Sequence, residues 1–363
     1  MLRRLLCVPV LLLALAACQQ STPTPVETSN ETALEGSGAV SAPAPAAATP
    51  KRDLTSTTQW PAASVAAGEA WVSCSLDYAG QGDGDALEDL AFPAVEQALM
   101  PCKDAGVVRV RYSGKINAPF TELVARVADM ARRLGISKRV LDLNSTGGQV
   151  EDAMHVGDVI GGTHWTLWVR EQSLCHSSCV LVLAAGDSRM ISGKVGVHRM
   201  MRIGSSASSR SELTEELKAV QEQMHDYLQR NGTSVAVADL MMTIPNRQLR
   251  LLDATELREF GLEGINAVQD DLDRIRLTRE CGEELVQRRD AFIRAFDRRC
   301  LSPGTAVEDI NACGLELRSQ FGFPDTRCPA ATPLSEHDTP QLAHVMSPVA
   351  PGAGASERDG SGG

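Results

Sequence analysis

The stretch VLDLNSTGGQVEDAMHVGDVI, residues 140–160, passes from a strand through a tight turn into a helix. Its first four residues are mainly aliphatic, which predicts a short buried strand. Residues 144–148 are typical of a tight turn, because Asn and Gly adopt left-handed backbone conformations at little cost. Residues 150–160 carry apolar side chains at helical spacing. A strand that leads directly into a helix predicts one unit of an α/β fold.

Similar units lie on both sides of this stretch. Residues 107–112 alternate apolar and polar side chains as a strand does, and residues 120–134 have the spacing of an amphipathic helix. Further elements are expected as a strand at 166–169, a buried helix at 175–185 and short strands at 190–191 and 195–197. This alternation predicts a mostly parallel sheet flanked by helices.

Short motifs follow one another in this region. They are Gly114-Lys115-Ile116, LNSTGGQV at 143–150, Ser177 followed by LAAG at 183–186, Gly196-Val197-His198, and LDATELREFGL at 252–262. In order and spacing they resemble the proteolytic subunit of the Clp protease and its extracytoplasmic relatives. The resemblance covers about residues 105–265. It implies an α/β fold of the Clp protease and crotonase type, built from repeated β-β-α units.

The resemblance also implies a serine hydrolase site. Ser177 stands at the position of the family's nucleophile, and His198, at the end of the next strand, stands at that of its general base. The backbone N–H groups of Gly147, Gly148 and Ser178 would form the oxyanion hole. Such chemistry needs neither a cofactor nor a metal ion.

The sequence departs from the family pattern at the third catalytic position. In the family an acidic residue shortly before the segment that matches 251–254 orients the histidine; the ungapped match here is Leu249. Asn246 is the nearest polar candidate for this orienting role. Thr146 also replaces a proline before the glycines, which is a minor change.

The first eighteen residues have the layout of an export signal. Arg3 and Arg4 precede an apolar run at 5–15, which is too short to span a bilayer, and two alanines precede Cys18. Leu15-Ala16-Ala17-Cys18 resembles the bacterial lipobox, which implies cleavage before Cys18 and a lipid on its thiol. Gln19, where inner-membrane lipoproteins carry Asp, indicates the outer membrane, facing the periplasm.

The cysteine count agrees with an oxidising compartment. Of ten cysteines, Cys7 lies in the signal and Cys18 takes the lipid. The remaining eight are disulfide candidates, namely Cys74, Cys102, Cys175, Cys179, Cys281, Cys300, Cys313 and Cys328. By proximity we expect one bridge between Cys74 and Cys102, and two among the last four.

Cys175 and Cys179 flank Ser177, where the family has small residues. Four positions apart on a helix, their Cα atoms would lie about 6 Å apart, near the upper limit for a disulfide. Two other interpretations are a metal site that includes His176 and a pair of buried thiols. We expect the disulfide, because the compartment oxidises exposed thiols.

Composition divides the chain into segments. The expected organisation is a lipoprotein signal peptide at 1–17, a flexible tether at 18–60, an N-terminal extension at 61–104, the Clp protease-like α/β domain at 105–270, a small helical cysteine-containing appendage at 271–330 and a disordered tail at 331–363.

The spacing of apolar side chains over residues 211–228 predicts an amphipathic helix. In the family the matching helix makes subunit contacts, so here it packs either on its own domain or on a second copy.

Charge and compartment restrict the partners. The chain has 35 Lys and Arg residues against 46 Asp and Glu residues, a formal net charge of −11, which excludes nucleic acid as a partner class. We expect a membrane contact through the lipid anchor. Two functions stay open: an envelope serine hydrolase acting on proteins or peptides, and an inactive Clp-like domain that binds an envelope protein. A crotonase-type enzyme would need an acyl-CoA substrate that is not expected in the periplasm.

Overall fold

The computed structural model describes residues 40–41, 54–66, 68–202, 205–300 and 307–333. The expected signal peptide, Cys18 and the tail from residue 334 onward lie outside the described residues. Within the part of the chain that the structure describes, no helix combines the length and apolar character that crossing a bilayer requires.

The fold is mixed α/β, as the alternation of strands and helices predicts. The described strands are β1 (Val40–Ser41), β2 (Gly68–Ser73), β3 (Asp85–Ala86), β4 (Val107–Gly114), β5 (Lys138–Asn144), β6 (Trp165–Val169), β7 (Leu174–His176), β8 (Ser188–Ile191), β9 (Lys194–Val197), β10 (Met201–Arg202), β11 (Arg250–Leu251) and β12 (Gly264–Ile265). The described helices are α1 (Tyr78–Gln81), α2 (Phe92–Leu99), α3 (Cys102–Ala105), α4 (Ala118–Leu134), α5 (Val150–Gly161), α6 (Cys179–Ala184), α7 (Arg210–Arg230), α8 (Ala236–Thr243), α9 (Ala254–Glu259), α10 (Ala267–Cys281), α11 (Glu283–Arg299) and α12 (Val307–Gln320).

The main sheet has seven strands in the order β12-β8-β6-β5-β4-β2-β3. Its centre, β4, β5, β6 and β8, is parallel, and the strands at both edges are antiparallel. The aliphatic side chains of the central strands are buried, as expected where helices cover a parallel sheet. The prediction of a mostly parallel sheet is therefore confirmed for the centre and wrong for the edges.

Residues 61–104 are part of this sheet, although composition predicts a separate extension. β2 pairs antiparallel with β4 along its whole length, from Gly68 opposite Gly114 to Ser73 opposite Arg109. The disulfide Cys74–Cys102 then joins the end of β2 to α3. Strand pairing between distant segments is not visible in local composition, so composition does not predict that β2 and β3 join the sheet.

The expected helix at 175–185 is two elements. Residues 174–176 form β7, which pairs in parallel with β9 in a smaller sheet of the order β11-β9-β7. The helix α6 begins only at Cys179. Ser177 lies between them with a φ of +62°, which no helix contains. The small apolar residues of this stretch suit a buried strand as well as a buried helix, so periodicity alone could not separate the two.

The helical appendage is cross-linked as expected. Cys281–Cys328 and Cys300–Cys313 are the two bridges among the last four cysteines. Phe292 and Phe296 of α11 pack with Leu317 of α12 in a small core of their own. The helix α7, by contrast, packs on its own domain. Its buried side chains join the main core and are Leu217, Val220, Met224, Tyr227 and Leu228.

Candidate active site

Ser177 occupies a sharp turn between a strand and a helix. Its left-handed φ of +62° costs a residue with a side chain roughly 1 kcal/mol. The turn is held because the Ser177 N–H donates to the Gly196 carbonyl oxygen at 2.8 Å, and the His176 N–H donates to the Ser145 oxygen at 2.9 Å. Backbone strain of this kind is concentrated at functional sites.

The Ser177 hydroxyl is buried and packs against a glycine. A Cβ at Gly147 would lie 2.8 Å from the Ser177 Cβ and 3.2 Å from its Oγ, and the φ of Gly147 is +93°. Both observations require glycine at this position. The Ser177 Oγ has no hydrogen-bond partner among the described residues. A buried hydroxyl without a partner is costly, and it is expected where the hydroxyl serves a reaction.

The structure brings His198 to the same end of the small sheet. It follows β9 directly and is 4% exposed, and Gly196, two residues earlier, accepts the Ser177 N–H. The His198 Nδ1 lies 3.0 Å from the Arg199 carbonyl oxygen. That oxygen can only accept, so Nδ1 carries a proton and the neutral ring has its lone pair on Nε2. This is the tautomer that a general base requires.

Asn246 does not supply the orienting contact. Its side-chain amide lies 3.7 Å from the sulfur of Met201. The His198 Nδ1 contacts the Arg199 carbonyl oxygen instead, and the Arg199 N–H is itself fixed by a 2.7 Å hydrogen bond to the Ile244 oxygen. A backbone carbonyl has no signature in the sequence, so only the folded chain could identify it.

The three expected oxyanion donors differ in their partners. The Gly147 N–H donates to the Ser145 Oγ at 3.1 Å, and the Gly148 N–H donates to the Ser178 Oγ at 2.7 Å. The Ser178 N–H has no acceptor among the described residues. Of the three N–H groups, those of Gly147 and Gly148 are thus engaged by serine hydroxyls, and that of Ser178 is not.

A neighbouring segment fixes the glycine turn. The Ile116 N–H donates to the Gly147 oxygen at 3.1 Å, and the Ile116 oxygen accepts from the Gln149 N–H at 2.8 Å. A Cβ at Gly148 would lie 2.1 Å from the Ile116 oxygen, so glycine is needed here as well. Lys115 Nζ donates to the Thr146 Oγ1 at 2.8 Å, and burial lowers the pKa of Lys115. The sequence predicts neither the hydrogen bonds of Ile116 nor that of Lys115.

The disulfide Cys175–Cys179 encloses the turn at Ser177. Its Cα atoms are 5.2 Å apart, inside the usual range of about 4.4 to 6.8 Å. The bridge connects β7 to the first residue of α6. The two cysteines do not lie on one helix, because Ser177 interrupts the helix that the sequence predicts. With both sulfurs bonded to each other, the metal interpretation of this cysteine pair is removed.

The described residues contain no group of His, Cys, Asp and Glu side chains that is arranged to hold a metal ion. Comparison of the chain with protein-family models and with curated proteins gives no match. Its chemistry must therefore be argued from the site itself.

Proposed function

We propose that the chain is a lipid-anchored protein of the bacterial envelope whose Clp protease-like domain is a serine hydrolase acting on peptides. The observation that carries the proposal is the buried, unpartnered Ser177 hydroxyl, held on a left-handed turn beside Gly147. The second support is His198, whose Nδ1 contact leaves Nε2 free to accept a proton.

The reaction would proceed by acyl transfer. His198 Nε2 takes the Ser177 proton as Oγ attacks the substrate carbonyl carbon, and the Ser178 N–H stabilises the oxyanion. The protonated histidine then gives this proton to the leaving amine as the C–N bond breaks. Water hydrolyses the acyl-serine by the same steps, which restores the free hydroxyl.

Two observations support a second candidate function, in which the domain binds a partner without catalysis. The Ser177 Oγ makes no hydrogen bond to His198, and two expected oxyanion donors are engaged by serine hydroxyls. A hydrolase must rearrange these contacts when substrate binds, as catalytic hydrogen bonds often tighten only in the complex. A domain that binds a partner without catalysis needs no such rearrangement.

Reaction with a fluorophosphonate probe decides between the two functions. We expect the folded protein to be phosphonylated, because the adduct resembles the tetrahedral intermediate. Ser177→Ala should abolish the label, and His198→Ala should slow it by about a thousandfold or more. Ser188→Ala is the matched control, because this hydroxyl is also buried without a partner, and it should label at the wild-type rate.

Asn246→Ala tests the orienting contact in the same assay. Because the Arg199 carbonyl fixes the His198 ring, the labelling rate should change less than about twofold. Labelling that survives Ser177→Ala would show that the nucleophile is wrong. No labelling of folded wild-type protein would favour the binding function.

A further inference from the structure

A piece of the chain's own N-terminal segment lies at the candidate active site. β1, residues Val40–Ser41, pairs in parallel with β10, with Val40 opposite Met201 and Ser41 opposite Arg202. On its other side Val40 forms a bridge with Gln149, and its N–H donates to the Gly148 carbonyl oxygen at 3.0 Å. The segment is thus held between β10 and the turn at Gly148 and Gln149.

These two neighbours also carry the parts of the site. Gly148 follows Gly147, which packs on the Ser177 side chain, and Met201 lies three residues after His198. An extended peptide that reached Ser177 would add as a strand to these same edges and use their main-chain groups. Val40 already occupies one of these groups, the Gly148 oxygen.

Side chains fix the segment in place. Ser41 is fully buried, and its Oγ hydrogen-bonds with Glu151 and with Arg202. Arg202 in turn pairs with Glu151 at 3.3 Å and with Glu216 of α7 at 3.5 Å. Ser41 is therefore buried among charged side chains that bind it specifically. Sequence composition predicts only a flexible tether here and does not predict this contact.

We propose that Val40–Ser41 is an intramolecular occupant of the peptide cleft beside Ser177 and must leave before a substrate peptide binds. This inference rests on the proposed function and assigns the regulation of that site. Ser41 is joined to the folded domain at Leu54 through residues 42–53. A short covalent connection of this kind gives an effective concentration on the order of millimolar, so a free peptide competes poorly.

Two variants displace the segment by different means. Val40→Pro removes the N–H that bonds Gly148, and Ser41→Trp places a large ring where a fully buried serine leaves no room. The matched controls lie in the segment before β2, where Ser64 forms an isolated bridge with Asp89. Val65→Pro removes an N–H that makes an equally long 3.0 Å bond to Glu88, and Ser64→Trp changes an exposed serine.

The first measurement is binding, which needs no catalysis. A fluorescein-labelled peptide of residues 36–44 is titrated against the full chain carrying Ser177→Ala, and anisotropy gives Kd. We expect Val40→Pro and Ser41→Trp to lower Kd by about fivefold or more, the effect of losing one net hydrogen bond, while both controls leave it unchanged. An unchanged Kd in both displacement variants, or no binding by any variant, would overturn the inference.

The second measurement is fluorophosphonate labelling of the chain with Ser177 intact. Val40→Pro should label faster than wild type by a similar factor, and Val65→Pro should not. Tighter peptide binding without any labelling would refute the hydrolase and retain the occupied cleft. Labelling with equal binding and equal rates in all variants would retain the hydrolase and refute the occupant.

Discussion

At the scale of single residues, the site depends on a glycine that has no room for a side chain. A Cβ at Gly147 would lie 2.7 Å from the His176 oxygen and 2.8 Å from the Ser177 Cβ. Gly135 has a similar positive φ, +73°, with nothing within 4 Å of the Cβ position. The two positions therefore separate the energetic cost of backbone strain from the cost of crowding the Ser177 side chain.

We expect Gly135→Ala to lower the free energy of unfolding by about 1 kcal/mol, the cost of a left-handed alanine. Gly147→Ala should cost about 2 to 4 kcal/mol, because the methyl group also displaces backbone and Ser177. Chemical denaturation measures both values. The Gly147 variant should also lose fluorophosphonate labelling by more than about tenfold, since Ser177 shifts from the attacking position. If Gly135→Ala and Gly147→Ala lowered the free energy of unfolding equally and labelled equally, crowding at Gly147 would be contradicted.

A second prediction at this scale concerns pH. The His164 Nδ1 lies 2.9 Å from an Asp187 carboxylate oxygen, and this hydrogen bond raises the pKa of His164. Because the folded pKa lies above the unfolded value, the stabilisation is complete below about pH 6.5 and is lost as pH rises through the raised pKa. The histidine is half exposed, so the contribution is no more than about 0.5 kcal/mol.

Urea unfolding at pH 5.5 and 8.5 tests this pair. Asp187→Asn removes the charge and should destabilise the protein more at pH 5.5 than at 8.5. A larger loss at the alkaline pH would reverse the sign and contradict the assignment.

At the scale of elements, α7 is hydrogen-bonded to α6, the helix that follows the turn at Ser177. The Tyr227 hydroxyl is fully buried and donates to the Leu181 oxygen of α6 at 2.7 Å. Gly157 of α5 makes space for it, because a Cβ there would lie 1.7 Å from the Tyr227 oxygen. The helix that the family resemblance links to subunit contacts is thus, along its C-terminal half, part of the core.

Tyr227→Phe should lower the free energy of unfolding by about 1 to 2 kcal/mol, because it leaves the Leu181 carbonyl without this donor. Gly157→Ala should cost more, since it pushes the ring and α7 outward. Tyr78→Phe, at a half-buried tyrosine outside this contact, is the control and should change stability by less than about 0.5 kcal/mol. Thermal or chemical unfolding measures these free energies. If Tyr227→Phe leaves the free energy of unfolding unchanged, the hydrogen bond to Leu181 does not stabilise the packing of α7 on α6.

At the scale of the whole molecule, the lipid on Cys18 is expected to determine location. Metabolic labelling with a palmitate analogue should tag the protein, and Cys18→Ser should leave it unlabelled and released from membranes, because acyl chains supply the durable anchor. Cys7→Ser, within the same expected signal, is the matched control and should stay labelled. Equal labelling of the Cys18 variant would end the lipoprotein proposal.

The sequence by itself predicted the α/β character and the alternation of strands and helices at 107–160, because periodicity is a local property that each segment carries alone. Nearness in the chain also predicted the pairing of Cys74 with Cys102, which the structure confirms. Ser177 and His198 became candidates through motif resemblance. Only the tertiary structure decided that residues 61–104 complete the main sheet and that Ser177 breaks a helix at a left-handed turn.

It also decided that the Arg199 carbonyl faces His198 and that Val40–Ser41 lies against Gly148. Each of these contacts uses at least one backbone N–H or carbonyl group, and these groups are alike in every residue except proline, which lacks the N–H. No side-chain pattern therefore records which of them meet. Their pairing is chosen by packing between segments far apart in the chain, and that choice exists only once the chain has folded.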